Sequence, residues 1–191
     1  MNAAATPEAL AAMAHPPGAT RAAPLHLVVM GVSGCGKTSV GRRLAQQLGL
    51  AFAEGDELHP PRNVALMAAG QPLTDADRVD WLAAVAARLV RAQAAGLGLV
   101  VSCSALKHSY RAQLRLACPG LRFVYLHGET ALLRQRMAAR TGHYMPASLL
   151  DSQLATLEPP AADEAAIAVD IAPSTEQVAN TVLARLQCTP P

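Results

Sequence analysis

Aromatic residues make up only 3% of this 191-residue chain, so its core is built from aliphatic side chains and alanine, and each Trp, Tyr or Phe marks a position of interest. Cysteine is sparse as well. Cys35, Cys103, Cys118 and Cys188 form no C-x-x-C pair and no zinc-ligand spacing, and a chain of this size needs no disulfide staples. A reducing, cytoplasmic setting is expected. No charge of one sign dominates: 16 Lys+Arg against 14 Asp+Glu leaves +2, which gives no broad electrostatic footprint for nucleic acid. Long apolar runs are missing too, and none approaches the roughly 18 residues that a membrane-spanning helix needs. What remains, 51% hydrophobic, is too apolar for wholesale disorder. Residues 1–24 are rich in Ala and Pro, with a first basic residue only at Arg21. They lack the charged start of a signal peptide and read as a flexible tail. Residues 25–187 then form a single domain, and 188–191 a short tail.

Short aliphatic runs alternate with helical patterns from Leu25 onward, the signature of β-α-β units and a parallel sheet. Strands are expected at Leu25–Met30, Ala51–Glu54, Leu97–Cys103, Leu121–Leu126 and Ile167–Ile171. Val40, Leu44 and Leu48 recur at helical spacing before Gly49. Pro60-Pro61 opens a short helix ending near Gly70. Thr74, with Asp75 and Asp77, caps a long helix carrying Val79, Leu82, Val85 and Leu89. Further helices are expected at about Lys107–Ala117, Ala131–Arg140 and Pro146–Leu157. Ser174 and Gln177 make a capping box for the last one, with Val178, Val182 and Leu186 facing inward.

Gly31-Val32-Ser33-Gly34-Cys35-Gly36-Lys37-Thr38 satisfies G-x-x-x-x-G-K-[ST] and lies between a strand and a helix, where the mechanism requires it. By composition alone, a chance match is expected on the order of once in a thousand such chains. The glycines allow backbone N–H groups to surround a phosphate, and the helix N-terminus adds partial positive charge. Lys37 is expected on the β- and γ-phosphates of ATP and Thr38 on Mg²⁺. The chain has only two lysines, Lys37 and Lys107. No D-x-x-G or N/T-K-x-D motif is present, so a GTPase is excluded.

Asp56 stands at the end of the second strand, on the edge where open parallel sheets bind ligands. It is expected to orient the attacking hydroxyl, accept its proton, or hold a water on Mg²⁺. His59, Arg62 and Arg78 lie nearby as donors for an anionic or hydroxylated acceptor. Arg134, Arg136 and Arg140, followed by the break Thr141-Gly142-His143, look like a lid whose guanidinium groups stabilise transition-state charge.

In order, GVSGCGKT, GDELHPPRN, PLTDADR, CSALKHSYR, FVYLHG and ARTGHYMPASLLDSQLATLEPP closely resemble the gluconate kinases over about Leu25 to Leu186. The resemblance implies a P-loop fold like that of nucleoside-monophosphate kinases, three-layered α/β/α with a five-stranded parallel sheet and a lid. It implies ATP-dependent phosphorylation of D-gluconate on its 6-hydroxyl by a homodimer. Carried over by motif, Gly31, Ser33, Gly34, Cys35, Gly36, Lys37, Thr38 and Ser39 hold the nucleotide, and Thr38 and Asp56 hold the metal. Lys37, Asp56, Arg136 and Arg140 serve catalysis. Asp56, His59, Arg62, Arg78, Ser104, Lys107, Arg111 and His143 meet the sugar acid, with His59, Arg62, Arg78, Lys107 and Arg111 as cationic donors. The family's usual Lys before Gly-His is Thr141 here, which removes one positive charge from the lid. A shikimate-type kinase and a non-catalytic ATP-binding regulator remain open alternatives.

Overall fold

The computed structural model describes residues 24–139 and 148–188. Its strands are β1 (His26–Met30), β2 (Ala51–Glu54), β3 (Leu99–Ser102), β4 (Arg122–His127) and β5 (Ile167–Asp170). They form one sheet in the order β2-β3-β1-β4-β5, with every pairing parallel. Parallel neighbours need crossovers, and helices supply them: α1 (Lys37–Leu48), α2 (Pro61–Ala68), α3 (Asp75–Ala94), α4 (His108–Ala117), α5 (Thr130–Ala138), α6 (Ser148–Thr156) and α7 (Thr175–Cys188). None is long and apolar enough to cross a membrane among the described residues.

Every residue of β1 is buried because helices cover both faces of a parallel sheet. Leu27 and Val29 pack on one face with Val40 and Leu44 of α1 and Val178 and Val182 of α7. Val28 and Met30 pack on the other with Trp81, Leu82, Val85 and Leu89 of α3 and Leu114 of α4. The result is three layers with the sheet in the middle.

Local signals set the helix ends. Pro61 stands in the first turn of α2, where its missing N–H costs nothing. Gly49 ends α1 in the left-handed conformation, its N–H reaching the carbonyls of Ala45 and Gln46. Thr74 and Asp77 form a reciprocal capping box at α3, as Ser174 and Gln177 do at α7. Two expectations are corrected. Val79 is 57% exposed, because the buried stripe of α3 runs through Trp81, Leu82, Val85 and Leu89 and leaves it outside. Leu97 is 58% exposed, because the chain enters the sheet only where Leu99 pairs with His26. Short 3₁₀ turns at Gly55–Leu58 and Ala162–Glu164 were not anticipated. The N-terminal tail as far as residue 23, the break with Arg140 and His143, and residues 189–191 lie outside the described residues.

Candidate active site

The phosphate-binding loop follows β1 directly. Gly34 and Gly36 take φ of +84° and +90°, a region that side chains disfavour and that turns successive N–H groups inward. Lys37 opens α1 and donates from Nζ to the carbonyl of Val32 at 3.0 Å, so its ammonium is folded onto its own loop. The Ser33 N–H donates to Oε1 of Gln153 in α6 at 2.6 Å. Thr38 is half-buried in the first turn of α1, Cys35 is buried, and Ser39 points to solvent.

Across from this loop, Asp56 sits in the 3₁₀ turn after β2. The peptide before it is locked from three sides. The Gly55 N–H donates to Ser102 Oγ at 3.1 Å, its carbonyl accepts from Trp81 Nε1 at 2.8 Å, and Ser102 Oγ donates to the Glu54 carboxylate. A Cβ on Gly55 would lie 2.0 Å from the Ser102 carbonyl oxygen, so only glycine allows this approach. Trp81 also stacks on His59, ring centroids 4.4 Å apart and 9° from parallel. Asn63 donates from Nδ2 to the Asp77 carbonyl at 2.6 Å, and the same nitrogen lies 3.4 Å from His59 Nδ1. Nδ1 therefore accepts, and Nε2 carries the proton.

Ser33, Lys37, Asp56, His59, Arg78 and Ser104 line one cleft that is open to solvent. It lies at the carboxyl ends of β1, β2 and β3, where open parallel sheets bind ligands. Burial pulls the His59 pKa down to about 4, more than Asp56 opposite can raise it. His59 is thus a neutral hydrogen-bonding group at pH 7, which corrects the expectation of a cation there.

Three other expected donors are committed elsewhere. Arg62 pairs with Asp77 at 2.7 Å with its side chain 75% exposed. Lys107 bonds both carboxylate oxygens of Asp75 at 2.9 and 2.7 Å. Arg111 is 1% exposed and bonds Glu164 through Nε and Nη2, each at 2.7 Å. Their acidic partners lie too far along the chain to be read as partners from sequence. Arg78 remains as the guanidinium in the cleft, steadied by Nη1 on the Leu73 carbonyl at 2.7 Å. Arg136 does not line this cleft. It donates to the Ile171 carbonyl at 2.8 Å and lines a separate small depression with Cys35, Gly36 and Pro173. Arg134 pairs with Asp151 at the surface.

Gln153 is a cleft residue that the sequence does not single out. Its segment, Leu150-Asp151-Ser152-Gln153, figures in the resemblance, but a lone amide in a helix signals no chemistry. Only the fold brings it to the loop.

A family model described as an AAA domain matches residues 27–160. A gluconokinase of Gluconobacter oxydans is 56% identical over 146 residues, covering 76% of this chain and 82% of that protein. The thermoresistant gluconokinase of Escherichia coli is 43% identical over 157 residues, covering 81% and 90%. Among solved structures, a gluconokinase from Sinorhizobium meliloti superposes with a TM-score of 0.79 at 50% identity, over 88% of this chain and 94% of that one. A shikimate kinase from Aquifex aeolicus, 15% identical with a TM-score of 0.58 over 86% and 97% of the two chains, shares the fold alone.

Fold and cleft together define a P-loop kinase that phosphorylates a small molecule. By its identity to these relatives over most of its length, the chain belongs to the gluconokinase family.

Proposed function

We propose that this chain transfers the γ-phosphoryl group of ATP to the 6-hydroxyl of D-gluconate, releasing 6-phosphogluconate, and that it works as a cytoplasmic homodimer. The observation that carries the reading is one cleft lined by Lys37, Asp56 and Arg78 together: a phosphate-binding ammonium, a carboxylate and a guanidinium. A polyol acid calls for that set, since its hydroxyls want acceptors and its carboxylate a forked cation.

On nucleotide binding, Lys37 exchanges the Val32 carbonyl for the β- and γ-phosphates. Asp56 orients the 6-hydroxyl for in-line attack and takes its proton late, because a loose transition state asks for positioning more than strong base catalysis. Arg78 receives the gluconate carboxylate, and neutral His59 bonds the chain hydroxyls. The depression lined by Cys35, Gly36, Arg136 and Pro173 suits the nucleotide base, while Arg140 keeps the catalytic role and His143 the sugar-acid contact that the family resemblance implies. The Thr38 hydroxyl and a water held by Asp56 would supply hard oxygen ligands to Mg²⁺. Among the described residues no cluster of three or more His, Cys, Asp or Glu could hold a metal alone. When bound with the nucleotide, Mg²⁺ neutralises phosphate charge.

The test is ATP-dependent ADP release over a panel of gluconate, shikimate, other sugar acids, nucleoside monophosphates and no acceptor. Release above the acceptor-free rate is expected with gluconate, and Asp56→Asn should lower kcat by about 10²- to 10⁴-fold while leaving the KM for ATP within about threefold. Release with shikimate but not gluconate would sink the substrate assignment. A pure loss of ATP affinity in the variant would remove Asp56 from the acceptor side.

A further inference from the structure

The segment between β3 and α4 reaches the cleft through Ser104 under conformational strain. Ala105 is not glycine, yet it takes φ of +41° and is fully buried. Residues in such conformations persist only where their surroundings over-determine them. Here three successive carbonyls are held from outside the segment. That of Ser104 accepts from the Gly31 N–H at 3.3 Å. That of Ala105 accepts from Arg111 Nη1 at 3.1 Å. That of Leu106 accepts from the same Nη1 at 3.2 Å and from the Glu158 N–H at 2.8 Å.

Arg111 is fixed in turn by Glu164, whose side chain is 3% exposed and is gripped further by Arg115 at 3.0 Å and the Ala161 N–H at 3.1 Å. A buried ion pair adds little net stability over a well-packed apolar pair. What it adds is directional hold: the planar guanidinium binds a carboxylate on one edge and presents further N–H groups to carbonyls on the other.

We propose that the buried Arg111–Glu164 pair is a positioning device for the acceptor cleft, holding the strained Ser104–Leu106 backbone in the shape that presents Ser104 to the sugar acid. The pair touches no substrate and acts through the carbonyls of Ala105 and Leu106. Because the Ser104 carbonyl also bonds Gly31, the same backbone sets the acceptor wall against the first residue of the phosphate-binding loop. This deepens the gluconate reading and rests on it.

The experiment uses the full-length chain with R111K and E164Q, each with and without A105G, and measures KM for gluconate, KM for ATP and melting temperature. R111K keeps the charge balance and carries the comparison should E164Q not fold. Both are expected to raise the gluconate KM about tenfold while the ATP KM stays within about twofold. A105G relieves the left-handed strain without restoring the pair, so it should bring the gluconate KM most of the way back. Lower melting temperatures with an unchanged gluconate KM, or no rescue by A105G, overturn the proposal and leave the pair purely structural. If the wild type turns over another acceptor instead, the gluconate reading fails, and the same comparison with that acceptor still decides the role of the pair.

Discussion

His59 shows how the surroundings of one side chain set its chemistry. Stacked on Trp81 and bonded by Asn63, it has a pKa lowered from 6.5 to about 4. The unfolded chain therefore takes up a proton on this ring at a pH where the folded chain does not. Its contribution to stability is complete above about pH 6.5 and falls away as pH drops toward about 4. Urea midpoints from about pH 7.5 down to about pH 4.5 should fall more for the wild type than for His59→Gln; parallel losses would show that the ring titrates alike in both states. The Cys103 thiol, pushed up to about 12 by burial, is inert at neutral pH. Lys37 and Asp56 were legible from sequence because a motif and a strand end fix where they fall. Arg62, Lys107 and Arg111 were not, because a basic side chain looks the same whether it faces a ligand or a distant carboxylate. Asp77, Asp75 and Glu164 decided their fates, and only folding brought those residues near.

At the level of elements, α6 is the least expected contributor. It reaches three parts of the site region: Gln153 accepts from Ser33, Asp151 pairs with Arg134 of α5, and just beyond its end the Glu158 N–H bonds Leu106. Gln153→Leu takes the acceptor from the Ser33 N–H, at a cost of about 1–3 kcal/mol in the nucleotide-free protein. A bound phosphate can supply a replacement oxygen, so the loss should shrink with a non-hydrolysable ATP analogue present. Denaturation with and without the analogue measures this, and an equal loss in both states would mean that the N–H does not change partner. Element boundaries carrying their own chemistry were readable, as at Gly49, Pro61, Thr74 and the Ser174–Gln177 box. The 3₁₀ turn that carries Asp56 was not, because long-range bonds from Ser102 and Trp81 shape it.

Across the whole molecule, the cleft draws on the ends of three strands and on α3 and α6, so a ligand there ties together segments distant in the chain. An ATP analogue at 100 times its Kd should stabilise the protein by about 2.7 kcal/mol, which for a domain of this size is a rise in melting temperature of roughly 5–10 °C. Gluconate added with the analogue should raise it further, as differential scanning fluorimetry can show; no shift with either ligand would disconnect the cleft from binding. The three-layer architecture was legible because apolar runs and helical periods alternate along the chain. The strand order was not visible in any local pattern.

That order bears on how the protein is made. Of the five described strands β1 leaves the ribosome first, yet both of its edges wait for partners that arrive only with Leu99 and Arg122. During synthesis, His26–Met30 is an apolar strand with two open edges, the kind of segment that pairs with the wrong neighbour. Until β4 is made, the nascent chain cannot close its own centre, so its yield in the cell should depend on chaperone capacity more than the stability of the finished sheet suggests.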